Sequence, residues 1–339
     1  MQGLRRIFSV LMAGCLGLAL LFSLCGCGKQ PVTRSFFAMD TVMQVQVWGP
    51  ETAADGCVQL VNALEQKLSV SRPGSQIARL NASGSLAPDA DVLGLIRDAR
   101  ALCACSEGAL DVTLEPVMEL WGFRDGNYAV PEDDALVGAL ARTGWESIGI
   151  QEDLVTLPAG MALDLGAVAK GYTADRLAEQ LGEQGVERAL LNLGGNVQLL
   201  GSKADGSPWR VAVTDPAAPE QAAGTLLLAG SHAVVTSGGY QRYFEEDGVR
   251  YHHILDPRTG RPAASGLASV TVVAESGLTA DALSTLRFVK GLEGAVEAWQ
   301  AGDFGPFEAV FITDDGSIFI TPGLEDRFET DRACQVVGA

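Results

Sequence analysis

The chain has 339 residues, 47% of them hydrophobic, and its 42 acidic against 24 basic residues give a formal net charge of −18. That much apolar material can bury a large core as one or two domains, which excludes a disordered chain. The charge excludes binding of nucleic acid or of an anionic membrane through a basic surface, so an anionic ligand would need compensation by a metal or a few placed cations.

In chain order, the first 27 residues read as a targeting segment: Arg5 and Arg6 precede an apolar run from Ile7 to Leu24 that ends in small residues. The end of the run, Leu24-Cys25-Gly26-Cys27, resembles a bacterial lipobox, with Cys27 as the lipidated residue. A retained membrane anchor is the alternative, since the run is near the lower limit for a spanning helix. Either way the globular part is expected to be exported and tethered, a cell-membrane lipoprotein on the extracytoplasmic face. Seven cysteines, three of them in this segment, are too few for a disulfide scaffold, and Cys103 and Cys105 match neither a zinc knuckle nor a redox pair.

Residues 28–35 read as a polar tether, and the domain proper is expected to cover 36–330. It opens with a strand from Phe36 to Trp48, where Val45 and Val47 alternate with Gln44 and Gln46. A helix is expected from Glu51 to Leu68. Asp89 suits the N-cap of a second, whose apolar stripe runs through Val92, Leu95, Ile96, Ala99, Leu102 and Cys103. Pro131 introduces a third helix over Glu132 to Arg142, a hairpin is expected over Ser147 to Leu157, and Gly166 leads into a helix from Ala167 to Leu181.

Beyond Arg188 strands dominate: Arg188 to Leu193, Val197 to Leu200, Trp209 to Val213, Thr225 to Leu228 and Ala233 to Thr236. Tyr240 to Phe244 and Arg250 to Leu255 pair through Asp247-Gly248, a hairpin dipeptide. A strand from Ser269 to Ala274 leads into a helix bearing Asp281, another helix spans Gly294 to Gln300, and Phe307 to Ile312 with Ser317 to Thr321 makes a last hairpin. Strands and helices do not alternate regularly, which predicts an α+β fold: one domain of largely antiparallel or mixed sheets with flanking helices.

The common nucleotide-binding and hydrolase signatures are missing from the sequence, including G-x-G-x-x-G after a strand, the P-loop, H-E-x-x-H and G-x-S-x-G. Four segments carry chemistry instead. Asp281 and Thr285 set a carboxylate and a hydroxyl on one helix face, an arrangement suited to a hard cation such as Mg²⁺ but also met at ordinary solvated helix starts. Lys170 stands at a helix start behind Gly166, where amides and a cation could hold a phosphate; alone it would be a solvated residue. Asn192 to Asn196 places two glycines between strands, which in isolation is a tight turn. His252 and His253, two of only three histidines, project to opposite sides of a strand, so one must face the interior or a cleft.

In this order the segments resemble the ApbE-type FAD:protein FMN transferases, a flavin transferase family of bacterial lipoproteins. The match includes Phe37-Ala38-Met39-Asp40-Thr41, Ser75 to Asn81, Gly108 to Thr113, Leu120-Trp121-Gly122-Phe123, Asp164 to Gly171, Asn192 to Asn196, Thr236-Ser237-Gly238, His253 to Gly260 and Ala280 to Thr285. The resemblance implies a Mg²⁺-dependent enzyme that takes FAD as substrate, moves its FMN half onto a threonine hydroxyl of an acceptor protein and releases AMP. By the same analogy Asp281 and Thr285 bind the metal through side chains and Ala167 through its carbonyl. Met39, Ala109, Leu110, Asp111, Asp164 and Lys170 match flavin or nucleotide contacts, and His253 the general base. The chain departs from the family in carrying Asp40 where glycine is common, and in lacking an aromatic residue at Ser69-Val70-Ser71-Arg72. Two rival readings use the same residues: a Mg²⁺-dependent FAD pyrophosphatase, and a lipoprotein that only binds flavin.

Overall fold

The computed structural model describes residues 30–302 and 304–338. The expected targeting segment and Cys27 lie outside the described residues. None of the described helices is long and apolar enough to cross a membrane.

The expected first strand is two strands. Val32–Ala38 (β1) and Thr41–Val47 (β2) form a hairpin closed by Met39 and Asp40, both left-handed at φ 49° and 60°. Positive φ at both central residues is the twist a two-residue hairpin needs, and aspartate is among the few non-glycine residues that adopt it readily. Residues 32–35, expected as tether, are thus four of the seven residues of β1.

Then come α1 (Glu51–Leu68), α2 (Gln76–Ser83), β3 (Ser85–Leu86), α3 (Ala90–Cys105), α4 (Glu115–Leu120), α5 (Asp133–Leu140), β4 (Gly149–Gln151), β5 (Leu154–Thr156) and α6 (Ala169–Glu183). The Asp89 cap is present, its side chain accepting from the Val92 amide, and the sequence reading missed α2 and α4, which are only eight and six residues long. The rest is β6 (Ala189–Leu193), β7 (Asn196–Leu200), β8 (Trp209–Asp215), β9 (Ala218–Leu228), β10 (His232–Gly238), β11 (Tyr243–Glu246), β12 (Val249–His252), β13 (Leu267–Ala274), α7 (Gly277–Ala301), β14 (Glu308–Thr313), β15 (Ile318–Ile320), β16 (Phe328–Glu329) and β17 (Cys334–Val336). The helices expected around Asp281 and over Gly294 to Gln300 are the two arms of α7, separated at Gly291 (φ 77°). Asp247 and Gly248 close the β11–β12 hairpin as expected.

Nine strands form the main sheet in the order β1-β2-β6-β7-β10-β13-β14-β15-β17, antiparallel throughout except for β15–β17. The domain therefore runs past the expected limit of 330, because β17 supplies its last strand. In β10, β13 and β14 alternate residues serve different cores. Val235, Val272 and Phe311 pack toward the helices, while Val234, Val273 and Val310 pack against β8 and β9 on the opposite face. Burial on both faces explains their near-continuous apolar runs. A smaller core of Trp121, Phe123 and Leu255 sits beneath the β11–β12 hairpin, whose Phe244 and Tyr251 pack on it with tilted rings.

The α+β expectation stands. Helices α6 and α7 lie side by side against the central strands of the sheet, in close contact through Gly171 and Gly277 near their N-terminal ends.

Candidate active site

The first wall of the site is made by turns. Met39 and Asp40 close the β1–β2 hairpin, and Gly194 and Gly195 close β6–β7 beside it. A Cβ at Gly194 would lie 2.3 Å from the Thr41 side chain, so only glycine lets the two turns meet. The Asn192 side chain secures the second turn by accepting from the Gly195 amide at 3.0 Å.

A second wall holds Ala109, Leu110 and Asp111. Ser106 accepts from the Leu110 amide at 3.1 Å, and Asp111 accepts from the Thr113 amide and hydroxyl at 2.8 and 2.6 Å. The Asp164 amide donates to Val112 at 2.8 Å, while the Asn81 amide group both accepts from and donates to the Leu163 backbone at 2.8 and 2.9 Å. Asn81 and Ser75, which caps α2, belong to the matched motifs yet act here as struts. Trp121 is a strut too, donating from its indole to Gly260 at 2.7 Å.

The third wall is the contact of α6 with α7. Gly171 donates its amide to Asp281 Oδ2 at 2.8 Å, and a Cβ there would fall 2.1 Å from the Gly277 carbonyl oxygen and 2.6 Å from the Asp281 Cβ. Asp175 on α6 reaches the start of α7, where it accepts from the amides of Gly277 and Leu278 at 2.6 and 2.9 Å and from the Ser276 hydroxyl at 2.8 Å. These bonds cap α7 and fix its register against α6. Lys170 is thereby held near the Asp281 carboxyl, whose proton affinity is raised chiefly by burial and lowered by the Lys170 charge. At the end of β10, Ser237 Oγ lies 2.8 Å from Ser284 Oγ and 3.2 Å from Thr285 Oγ1.

His253 follows β12. Its ring Nδ1 and its backbone amide each lie 3.1 Å from the Arg242 carbonyl oxygen. A carbonyl only accepts, so Nδ1 carries the proton of the neutral ring and the Nε2 lone pair is left free. Burial, reinforced by the Lys170 and Arg242 charges, pulls its pKa down to about 4, leaving the ring neutral near pH 7. His252 faces the other way, edge-on to Phe288 in a separate cavity of about 570 Å³.

The walls enclose one cleft of about 610 Å³, within the range of small-molecule sites. Met39, Ala109, Leu110, Asp111, Asp164, Ala167, Lys170, His253, Asp281 and Thr285 all line it, so the residues singled out from the sequence converge in space. Val70 and Ser71, from the loop without an aromatic residue, line it as well. Reading the sequence missed Glu115, Arg124 and Arg242, isolated charges without pattern, whereas Ser237 stood inside a matched motif. Among the described residues no group of three or more His, Cys, Asp or Glu side chains forms a ready-made metal centre. One buried carboxylate with the nearby hydroxyl of Thr285 is still a hard oxygen donor set, which fits an Mg²⁺ ion that takes its remaining ligands from water and substrate phosphates.

The sequence profile of the ApbE family matches residues 39–311. The chain belongs to that family. Curated FAD:protein FMN transferases of Vibrio cholerae and Treponema pallidum are each 34% identical to it, the first over 88% of this chain and 93% of the relative, the second over 91% and 93%. The ApbE protein of Thermotoga maritima superposes with a TM-score of 0.79 at 33% identity, covering 85% of this chain and 96% of that one. The flavin transferase ApbE of Vibrio cholerae superposes with a TM-score of 0.76 at 30% identity, covering 88% and 99%. Family membership thus coincides with the α+β architecture and with a single cleft built from the family's motifs.

Proposed function

We propose that the chain is an FAD:protein FMN transferase that moves the FMN half of FAD onto a threonine hydroxyl of an acceptor protein and releases AMP. The observation that carries this reading is the convergence of Lys170, Asp281, Thr285 and His253 on one cleft in a chain whose relatives bear that name.

The reaction is phosphoryl transfer, whose barrier lies in crowded negative charge. The acceptor oxygen bonds to the phosphorus of the FMN side, the bond from that phosphorus to the bridging oxygen breaks, and AMP leaves with that oxygen. His253 takes the hydroxyl proton at Nε2, and the Arg242 carbonyl keeps the other ring nitrogen protonated and the ring oriented. Lys170 meets the charge of the diphosphate. An Mg²⁺ ion held by Asp281, Thr285 and the Ala167 carbonyl would add electrostatic stabilisation of the developing charge. Met39, Ala109, Leu110, Asp111 and Asp164 shape the walls that hold the dinucleotide.

His253→Ala is expected to slow transfer by about 10²–10⁴-fold while FAD affinity changes less than about twofold. Because the ring is already neutral well below pH 6.5, the acid limb of wild-type kcat/KM should fall near pH 4. An unchanged rate in the variant would contradict this role, and a wild-type limb at 6.5 that the variant abolishes would keep the role but contradict the depressed pKa. The depressed pKa also stabilises the fold above pH 6.5, a contribution lost as the pH falls through about 4.

The direct test is incubation with FAD, Mg²⁺ and an FMN-binding acceptor domain, read by intact mass. An FMN-sized addition on threonine supports transfer; release of free FMN and AMP without adduct would indicate the hydrolase instead, and neither product a flavin carrier. We further propose that Cys27 carries a lipid that tethers the enzyme on the extracytoplasmic face, close to membrane-bound acceptors. Fatty-acid labelling should be present in the wild type and lost in Cys27→Ser; labelling that survives the substitution would refute it.

A further inference from the structure

One stretch of the cleft wall contains two charged groups that the phosphoryl chemistry does not use. Glu115, the first residue of α4, is 3% exposed, and its Oε1 is buried without an aligned hydrogen bond although Arg124 Nη1 lies 2.9 Å away. Arg124 is itself anchored, its Nη2 donating to the Val70 carbonyl at 2.9 Å. Around the pair the cleft is lined by Val70, Leu114, Met118 and Phe123.

A carboxylate withdrawn from water is costly unless hydrogen bonds replace the hydration it loses, and one misaligned guanidinium does so only in part. Burial, and after it the negative charge of Asp164, pushes the Glu115 carboxyl up to about 8 against the opposing pull of Arg124. The group is short of a donor. Apolar side chains beside it suit the flat faces of a heterocycle, and the pair offers the edge of such a ring one acceptor next to one donor.

We propose that Glu115 and Arg124 determine specificity by reading a ring edge of the substrate on which an N–H stands beside an acceptor atom, the N–H bonding to Glu115 and the acceptor to Arg124. This rests on FAD as the substrate. Two of its edges have that chemistry: the flavin pyrimidine, with its imide N–H between carbonyls, and adenine, with its amino group beside a ring nitrogen.

The test compares riboflavin and ADP binding to the wild type, Glu115→Gln and Glu115→Leu. Leaving the ring N–H without its acceptor in a desolvated cleft predicts about 10- to 100-fold weaker binding of one ligand, the other staying within about twofold. Selective loss of riboflavin assigns the pair to the flavin edge, and selective loss of ADP assigns it to adenine. A merely structural role would shift the melting temperature and scale both affinities together, and that result, or no change in either variant, would overturn the proposal. Glu115→Gln keeps the shape and one acceptor oxygen and should lose less affinity than Glu115→Leu. Where the leucine variant fails to fold, Arg124→Met removes the paired donor and should weaken the same ligand selectively, and the absence of a selective loss there overturns the proposal. Should the wild type bind FAD, riboflavin and ADP while the variants discriminate nothing, only the edge reading falls. Should the wild type bind none of them, FAD as substrate falls with it.

Discussion

Gly171→Ala is expected to lower transfer by about 100-fold or more and to reduce the melting temperature by several degrees. The added methyl carbon would overlap the Gly277 carbonyl oxygen at 2.1 Å and the Asp281 Cβ at 2.6 Å, neither of them the end of a flexible side chain. The helices must separate. Overpacking of this kind costs about 1–3 kcal/mol, and a shift of about 1 Å between Lys170 and Asp281 is enough for a 10²-fold loss of rate. Thermal unfolding and FMN transfer measured on the purified variant check both parts. Wild-type values for both would show that the α6–α7 contact does not position the site.

Asp281→Asn separates charge from shape. The amide oxygen can still accept from the Gly171 amide, so the clasp survives. Because burial raises the Asp281 proton affinity, ionising it in the fold is unfavourable, and the neutral variant should melt at or above the wild-type temperature near pH 7. Transfer should nonetheless fall by about 10²–10³-fold, since the negative ligand that would hold a divalent cation against the diphosphate is gone. Calorimetric titration of Mg²⁺ into the protein with FAD should show binding in the wild type and none in the variant. A folded Asn variant that transfers FMN at the wild-type rate would remove Asp281 from the metal site.

How much of this the sequence disclosed depended on whether a feature was local. Helix stripes and caps are local: the Asp89 cap and the helix carrying Asp281 were legible, as was the Asp247-Gly248 hairpin. The Met39-Asp40 turn was not, because its alternating flanks continue through it and no glycine marks the reversal. Short α2 and α4 carry too few residues for a stripe. The site residues of the matched motifs were legible only as a set, and their convergence depends on the packing of turns and of two helices that no local pattern records. Glu115 and Arg124 were invisible for a different reason: a lone glutamate and a lone arginine are ordinary surface residues until the fold buries one beside the other.

The carboxylate of Asp175 has a further effect. It already occupies the amides at the start of α7, so the positive pole of that helix is neutralised from within and offers nothing to an arriving anion. Attraction for the diphosphate must then come from the side-chain cations of the cleft, Lys170 first among them, and from any recruited cation. A dinucleotide analogue with an uncharged linker between its two halves would forgo nothing at the first turn of α7, but would discard what Lys170 and a cation held by Asp281 and Thr285 would provide.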